Sequence, residues 1–228
     1  MNTTIPAPAV ALVVAAGSGV RLGAGMPKAL VRLSGRSLVA RSLDSLAAGG
    51  VAEAVVVAPA GHLVEFEKAV TDSPIPVRVV PGGGERQDSV QLGLSALDSV
   101  DGPVLVHDAA RPLVPARVVS AVIEAVRGGA VAVVPVVAVT DSIRRLTDEG
   151  SEMVDRSTLR AVQTPQGFDP GVLTRAHELV RERGLLVTDD AAACEAAGHP
   201  VTLVAGAAES MKITTPADLR FAEALLGD

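Results

Sequence analysis

Tryptophan and tyrosine are missing from this chain of 228 residues, and phenylalanine occurs only at Phe66, Phe168 and Phe221. Proteins that hold single-stranded nucleic acid stack its bases on aromatic rings, so that class of partner is excluded. A formal net charge of −6 argues the same way, leaving room only for a local basic pocket. Without tyrosine, the Tyr-Lys chemistry of short-chain reductases is also impossible. Cysteine is as scarce. Cys194 stands alone, so no disulfide can form within the chain, and a cytoplasmic setting is expected. It lies in AAACEAAG, a helical pattern in which cysteine packs as a small apolar residue. No apolar run approaches the ~18 residues of a membrane span. The opening MNTTIPAP has neither the basic region nor the apolar core of a signal peptide. No membrane partner is expected.

Lysine is the third scarcity. Of 20 basic residues only Lys28, Lys68 and Lys212 are lysine, the other seventeen being arginine. One of the three closes the most informative segment, AAGSGVRLGAGMPK at 15–28, which follows the apolar run Val10–Val14. A glycine-rich turn after a buried strand brings bare backbone N–H groups close to an anion. Arg21 and Lys28 add positive charge there, pointing to phosphate chemistry on a triphosphate. Gly17, Gly19 and Gly23 are spaced G-x-G-x-x-x-G, which is not the dinucleotide fingerprint. No lysine follows a glycine, so the loop is not a Walker-type P-loop either.

Five further apolar, β-branched runs read as buried parallel strands: Ala54–Ala58, Val77–Val80, Val104–His107, Val131–Val137 and Val201–Val204. Helical patterns lie between them near 37–48, 61–70, 86–98, 115–127, 170–183, 189–197 and 216–226. Such alternation predicts an α/β fold with a Rossmann-like, doubly wound, mostly parallel sheet. One segment breaks the rhythm. Asp141–Leu146 and Glu152–Arg156 alternate polar with apolar around a turn at 147–151, predicting an exposed hairpin. A lone hairpin is marginal in water, so this arm, 139–158 with its connections, is expected to project and pack against a second subunit. With no repeat or linker, residues 1–228 read as one domain.

In open α/β sheets ligands sit beyond the carboxyl ends of the strands, so the polar residues following each strand are the candidates. After the strand ending at Val80 come Gly82, Gly83 and Gly84, then Arg86 and Ser89 in a first helical turn. After His107 come Asp108 and Arg111. An aspartate there can hold a divalent cation on a phosphate, and the arginine can fork onto a second phosphate; a simple ion pair is the rival reading. His107 reads as a structural residue. Thr188, before Asp189 and Asp190, is first of all a helix cap. Lys212, in SMKIT, aims its charge at the same end of the sheet. No nucleophile–base pair is evident. Positive charge, backbone donors and one carboxylate suffice for phosphoryl or nucleotidyl transfer, where the protein positions and neutralises.

Seven segments occur in a telling order: GSGVRLGAGMPK, GGGERQDSV, VHDAARP, DR at 155–156, QTPQGF, TDDAAACE and MKIT. Together they resemble the 2-C-methyl-D-erythritol 4-phosphate cytidylyltransferase family, from about residue 10 to 226. The resemblance implies a nucleotidyltransferase-type fold, CTP and methylerythritol phosphate as substrates, and Mg²⁺ bridging the triphosphate. It implies that Arg21 and Lys28 stabilise the transition state. Ala15, Ala16, Gly17, Gly19, Gly83 and Ser89 would form the cytidine pocket. Asp108, Arg111, Ser142, Thr188 and Lys212 would form the sugar-phosphate and metal side. It also implies a homodimer in which Arg156 reaches the neighbouring site. Three positions depart from the family pattern: Ala29 where glutamine is frequent, Gly84 where some members are acidic, and Ser142 in place of threonine. The rival enzyme reading is a cytidylyltransferase for another polyol phosphate such as ribitol 5-phosphate. A regulatory nucleotide-binding protein is the rival outside catalysis, and the retained Arg21, Lys28, Asp108 and Lys212 count against it.

Overall fold

A computed structural model describes residues 6–17, 25–97 and 100–227. The first strand, β1 (Ala9–Val14), is buried almost throughout and sends its side chains alternately to two sides. Ala9, Ala11 and Val13 enter one apolar cluster and Val10 and Leu12 the other. That two-sided burial is what an apolar strand without polar alternation demands. A short hairpin of β2 (Arg32–Leu33) and β3 (Arg36–Ser37) leads into α1 (Leu38–Ala48), whose first turn is capped by Ser37.

Then follow β4 (Val51–Ala58), α2 (Leu63–Ala69), β5 (Val77–Pro81), α3 (Arg86–Ala96), β6 (Val104–Asp108), α4 (Ala116–Arg127) and β7 (Ala132–Ala138). An exposed pair, β8 (Ile143–Thr147) and β9 (Gly150–Val154), precedes β10 (Arg160–Val162) and β11 (Gln166–Phe168). The chain ends with α5 (Pro170–Glu182), α6 (Asp190–Ala196), β12 (Thr202–Ala205) and α7 (Pro216–Leu226). The large sheet runs β7-β11-β6-β1-β4-β5, with β10 and β12 also paired to β7. Strands β6, β1, β4 and β5 are parallel, as are β7 and β12; β10 and β11 run antiparallel. Helices α1, α2 and α4 cover one face and α3, α5 and α6 the other. Helix α3 lies so close to the sheet at Gly93 that a Cβ there would come within 2.8 Å of Leu12 and Val57 side chains.

The doubly wound, mostly parallel sheet is the one expected, and each predicted strand is present. The second begins three residues earlier than anticipated, at Val51, and the predicted helix at 61–70 opens as a 3₁₀ turn at Ala60–His62. The hairpin at 141–156 is present with a tighter turn, only Asp148 and Glu149 separating its strands. Leu146 and Met153 on it are 84% and 66% exposed. Besides the two-residue strands β2 and β3, the strands β10 and β11 are additions to the expected set. Each has three residues, and they lie either side of the cis Thr164–Pro165 bond. Among the described residues no helix is long and apolar enough to cross a membrane.

Candidate active site

The carboxyl ends of β1, β5 and β6 open into one cavity of about 490 Å³. Ala15, Ala16 and Gly17 follow β1 along one wall; Gly83, Gly84 and the start of α3 form another. Asp108, Lys28 and Lys212 also line it. The loop after β5 carries glycine at 82 and 83 because packing leaves no room for a side chain there. A Cβ at Gly82 would stand 2.8 Å from Ala16 Cβ, and one at Gly83 would stand 2.4 Å from Asp88 Cβ. The Ser89 hydroxyl fixes the loop by accepting from Gly83 N at 3.2 Å and donating to Glu85 O at 3.1 Å. Ser89 is 1% exposed, so within this fold its hydroxyl shapes the wall.

Asp108 is the electrostatic centre. Its Oδ2 accepts from Lys212 Nζ at 2.7 Å and lies 4.0 Å from Arg111 Nε; its Oδ1 lies 3.7 Å from Arg86 Nε. Burial opposes ionisation of this carboxyl, but Lys212, Arg86 and Arg111 outweigh it and hold the group down to about 2. It is a carboxylate at neutral pH. Lys212 reaches it because its segment is tied down twice: Ile213 N donates to Ala110 O at 2.8 Å, and Arg111 Nη1 donates to Ser210 O at 2.7 Å.

The QTPQ segment, quoted in the sequence only as part of a resemblance, proves to be the scaffold behind these groups. Gln163 brackets Ala207, donating to its carbonyl at 2.8 Å and accepting from its N–H at 3.1 Å. Thr164 Oγ1 accepts from Asp108 N at 3.0 Å and lies 3.0 Å from His107 Nδ1. Burial pushes His107 down to about 4, so the ring is neutral at pH 7. Its Nε2 lies 3.2 Å from the Arg111 carbonyl, which only accepts; Nε2 therefore carries the proton and Nδ1 accepts from Thr164. Gln166 donates to Asp189 Oδ2 at 2.8 Å and accepts from Ala191 N at 3.1 Å, fixing the start of α6. His107 is thus structural, as its sequence context suggested.

The remaining sequence candidates divide. Lys28 lies in a 3₁₀ turn, Lys28–Leu30, directly after Pro27 and faces the cavity. Arg111 lies beside the cavity without lining it, and its guanidinium donates to the carbonyls of Ser210 and Val162. In this structure it secures loops, where the sequence suggested a phosphate fork. Thr188 is not the helix cap expected. Asp189 takes that place, accepting from Ala192 N at 2.9 Å, because its carboxylate stands one residue nearer the first turn. Ser142 and Arg156 are exposed at the base of the hairpin, and Arg156 donates to the Thr140 carbonyl. Neither lines the cavity formed by its own chain. Gly19 and Arg21 fall outside the described residues. Arg86, noted in the sequence but given no role there, lines the cavity beside Asp108.

A divalent cation is compatible with this donor set in one way only. Among the described residues no group of three or more His, Cys, Asp or Glu side chains could hold a metal. Asp108 and Glu85 are the carboxylates that line the cavity, and Asp108 is the one that stands among its cations, beside Lys212 and Arg86. Mg²⁺ is typically held by one or two carboxylates together with substrate phosphates, so a cation that arrives on a triphosphate fits.

The family model for 2-C-methyl-D-erythritol 4-phosphate cytidylyltransferase matches residues 9–228. A protein of that name from Streptomyces avermitilis is 47% identical, the match covering 95% of this chain and 90% of that protein. One from Saccharopolyspora erythraea is 48% identical over 95% of this chain and 98% of its own length. The crystal structure of the Thermus thermophilus cytidylyltransferase superposes with a TM-score of 0.81 at 36% identity, covering 98% of this chain and all of that one.

Proposed function

This chain belongs to the 2-C-methyl-D-erythritol 4-phosphate cytidylyltransferase family, and from that premise we propose how its cavity works. The enzyme transfers CMP from CTP to 2-C-methyl-D-erythritol 4-phosphate, giving 4-CDP-2-C-methyl-D-erythritol and pyrophosphate for isoprenoid precursor synthesis. The observation that carries the reading is one cavity lined by both Lys28 and Lys212, with Asp108 between its walls.

A phosphate oxygen of the polyol substrate attacks the α-phosphorus of CTP; that P–O bond forms as the bond to the β-phosphate oxygen breaks, and its electrons leave with pyrophosphate. Little covalent help is needed from protein groups. The task is to bring two anions together and to stabilise the charge that spreads over the transferring phosphorus. Lys28 and Arg21 neutralise the α-phosphate, the compact ammonium acting as a fixed point charge. Ala15, Ala16, Gly17, Gly19 and Gly83 hold the cytidine, with Ser89 fixing the loop that touches it. Lys212 and Asp108 orient the polyol phosphate side, and Asp108 would hold Mg²⁺ there. When bound, the cation offsets triphosphate charge.

The second subunit completes the site in this reading. Among the described residues the hairpin strands pair only with each other, and they expose Leu146 and Met153, the apolar surface that a two-fold, self-complementary interface would cover. Arg156, which misses its own cavity, then serves the partner's polyol site, and Ser142 and Thr188 belong to the sugar-phosphate side. The proposed setting is cytoplasmic, in keeping with the free, buried Cys194.

Pyrophosphate release with CTP, Mg²⁺ and each of several polyol phosphates tests the assignment. Release with methylerythritol phosphate is expected; release with ribitol 5-phosphate alone would move the substrate, and release with neither would favour a binding protein.

A further inference from the structure

Arg86 and the buried groups behind it have no role in the chemistry so far. Its guanidinium spans two elements: Nη2 donates to Asp190 Oδ2 at 2.6 Å, while Nε lies 3.7 Å from Asp108 Oδ1. Asp190 is fully buried, and its other oxygen lies 3.1 Å from His177 Nε2. On either side of Asp190, Gln166 grips Asp189 and the Ala191 N–H. The cluster is hydrogen-bonded from α5 through α6 to Arg86, and an ion-pair approach of 3.7 Å extends it to the carboxylate in the cavity.

We propose that Arg86, anchored on Asp190, is a positioning residue that sets the Asp108–Lys212 pair, and that Asp190 acts on the reaction through Arg86.

Three observations carry this. The first concerns shape: only a planar fork reaches Asp190 with one nitrogen while another faces Asp108, which a lysine ammonium cannot do. The second concerns cost. Burying an ion pair seldom stabilises a fold more than apolar packing of the same volume would. Here a fully buried Asp190 carboxylate and a partly buried Arg86 stand beside a His177 ring whose buried Nδ1 has no hydrogen-bond partner among the described residues. Stability alone does not explain such a cluster. The third concerns place. Arg86 is the first residue of α3, directly after the glycine loop and its Glu85 cap, and it lines the cavity. It thus joins the end of the glycine loop to Asp108. Ionised Asp190 sits at the start of α6, and the bonds from His177 and Arg86 outweigh burial to keep its carboxyl below the usual range.

The activity readout rests on the cytidylyltransferase reading, so the test has two arms. In the first, Asp190→Asn and Arg86→Gln are compared singly and together. Each single variant is expected to lose about tenfold to a hundredfold in kcat, the range set by hydrogen bonds to charged groups. The KM for CTP should move by no more than about twofold, since ground-state nucleotide binding is left in place. In the Arg86→Gln background, Asp190→Asn should cost nothing further. Arg86→Lys should not rescue. In the second arm, the Arg86 Nη–Hη signal in ¹⁵N NMR, assigned by its loss in Arg86→Gln, should exchange slowly with water in the wild type, because Nη2 donates to the buried Asp190. It should exchange fast in Asp190→Asn. An additive double variant, a fully active Arg86→Lys, or an unchanged Nη–Hη signal would overturn the proposal. Should Asp190→Asn fail to fold, Arg86→Lys and Arg86→Gln carry the kinetic arm, and wild-type kcat in either overturns it. If the wild type releases no pyrophosphate, the reading of the reaction falls, and the NMR arm on Arg86 and Asp190 still decides this one.

Discussion

Replacing Lys212 by methionine keeps the length of the side chain and removes the cation nearest Asp108, 2.7 Å from Oδ2. The cations around Asp108 lower its carboxyl from 3.8 to about 2, against the opposing effect of burial. That depression corresponds to roughly 2 kcal/mol of folding stability at neutral pH. Arg86 and Arg111 share the effect, so Lys212→Met is expected to cost about half, roughly 1 kcal/mol. The pH dependence has a definite sign. A carboxyl with a folded-state value below its unfolded one contributes fully above about pH 4, and the contribution disappears as pH falls toward 2. Urea unfolding of wild type and variant should therefore differ most near pH 7, and the gap should shrink steadily below about pH 4. A gap of equal size at pH 7 and pH 3 would show that Lys212 contributes packing and not charge, and would refute the electrostatic account of this site.

Other residues give sharper functional outcomes. Lys28→Ala should lower kcat by about a hundredfold to a thousandfold, the usual cost of removing one preorganised charge-stabilising contact, while Lys68→Ala on the surface of α2 should be silent. Gly83→Ala forces a Cβ to within 2.4 Å of Asp88, so the KM for CTP should rise severalfold; Gly61→Ala, which meets nothing within 4 Å, is the control. If Arg156 serves the neighbouring site, mixing Arg156→Ala with Lys28→Ala protein should restore activity through one intact site per mixed dimer. Mixing that restores nothing despite demonstrated subunit exchange would place Arg156 outside the chemistry.

Much of this architecture is legible in the chain because buried parallel strands declare themselves. Val104–His107 and Ala54–Ala58 are apolar on both faces, and the residues following such strands fall at one edge of the sheet by topology alone. That is why Asp108, Gly83 and Lys28 can be collected before any coordinates are known. Strands β10 and β11 are invisible by the same criterion. They are three residues long and antiparallel; β10 is exposed, and the adjoining or included Gln163 and Gln166 are polar residues whose burial depends on distant partners. Thr188 and Asp189 are both good caps, and which one is used depends on where the first turn begins. Arg111 reads as a phosphate fork until the carbonyls of Ser210 and Val162, 99 and 51 residues away, are seen to occupy it. The link between Arg86 and Asp190 spans 104 residues and has no local signature at all.

The claim that a polyol phosphate oxygen attacks the α-phosphorus of CTP is tested most directly by isotope. Methylerythritol phosphate carrying ¹⁸O in its phosphate should give a CDP-alcohol whose P–O–P bridge is labelled, read by ³¹P NMR, together with pyrophosphate free of label. Labelled pyrophosphate, or a bridge without ¹⁸O, would contradict the mechanism.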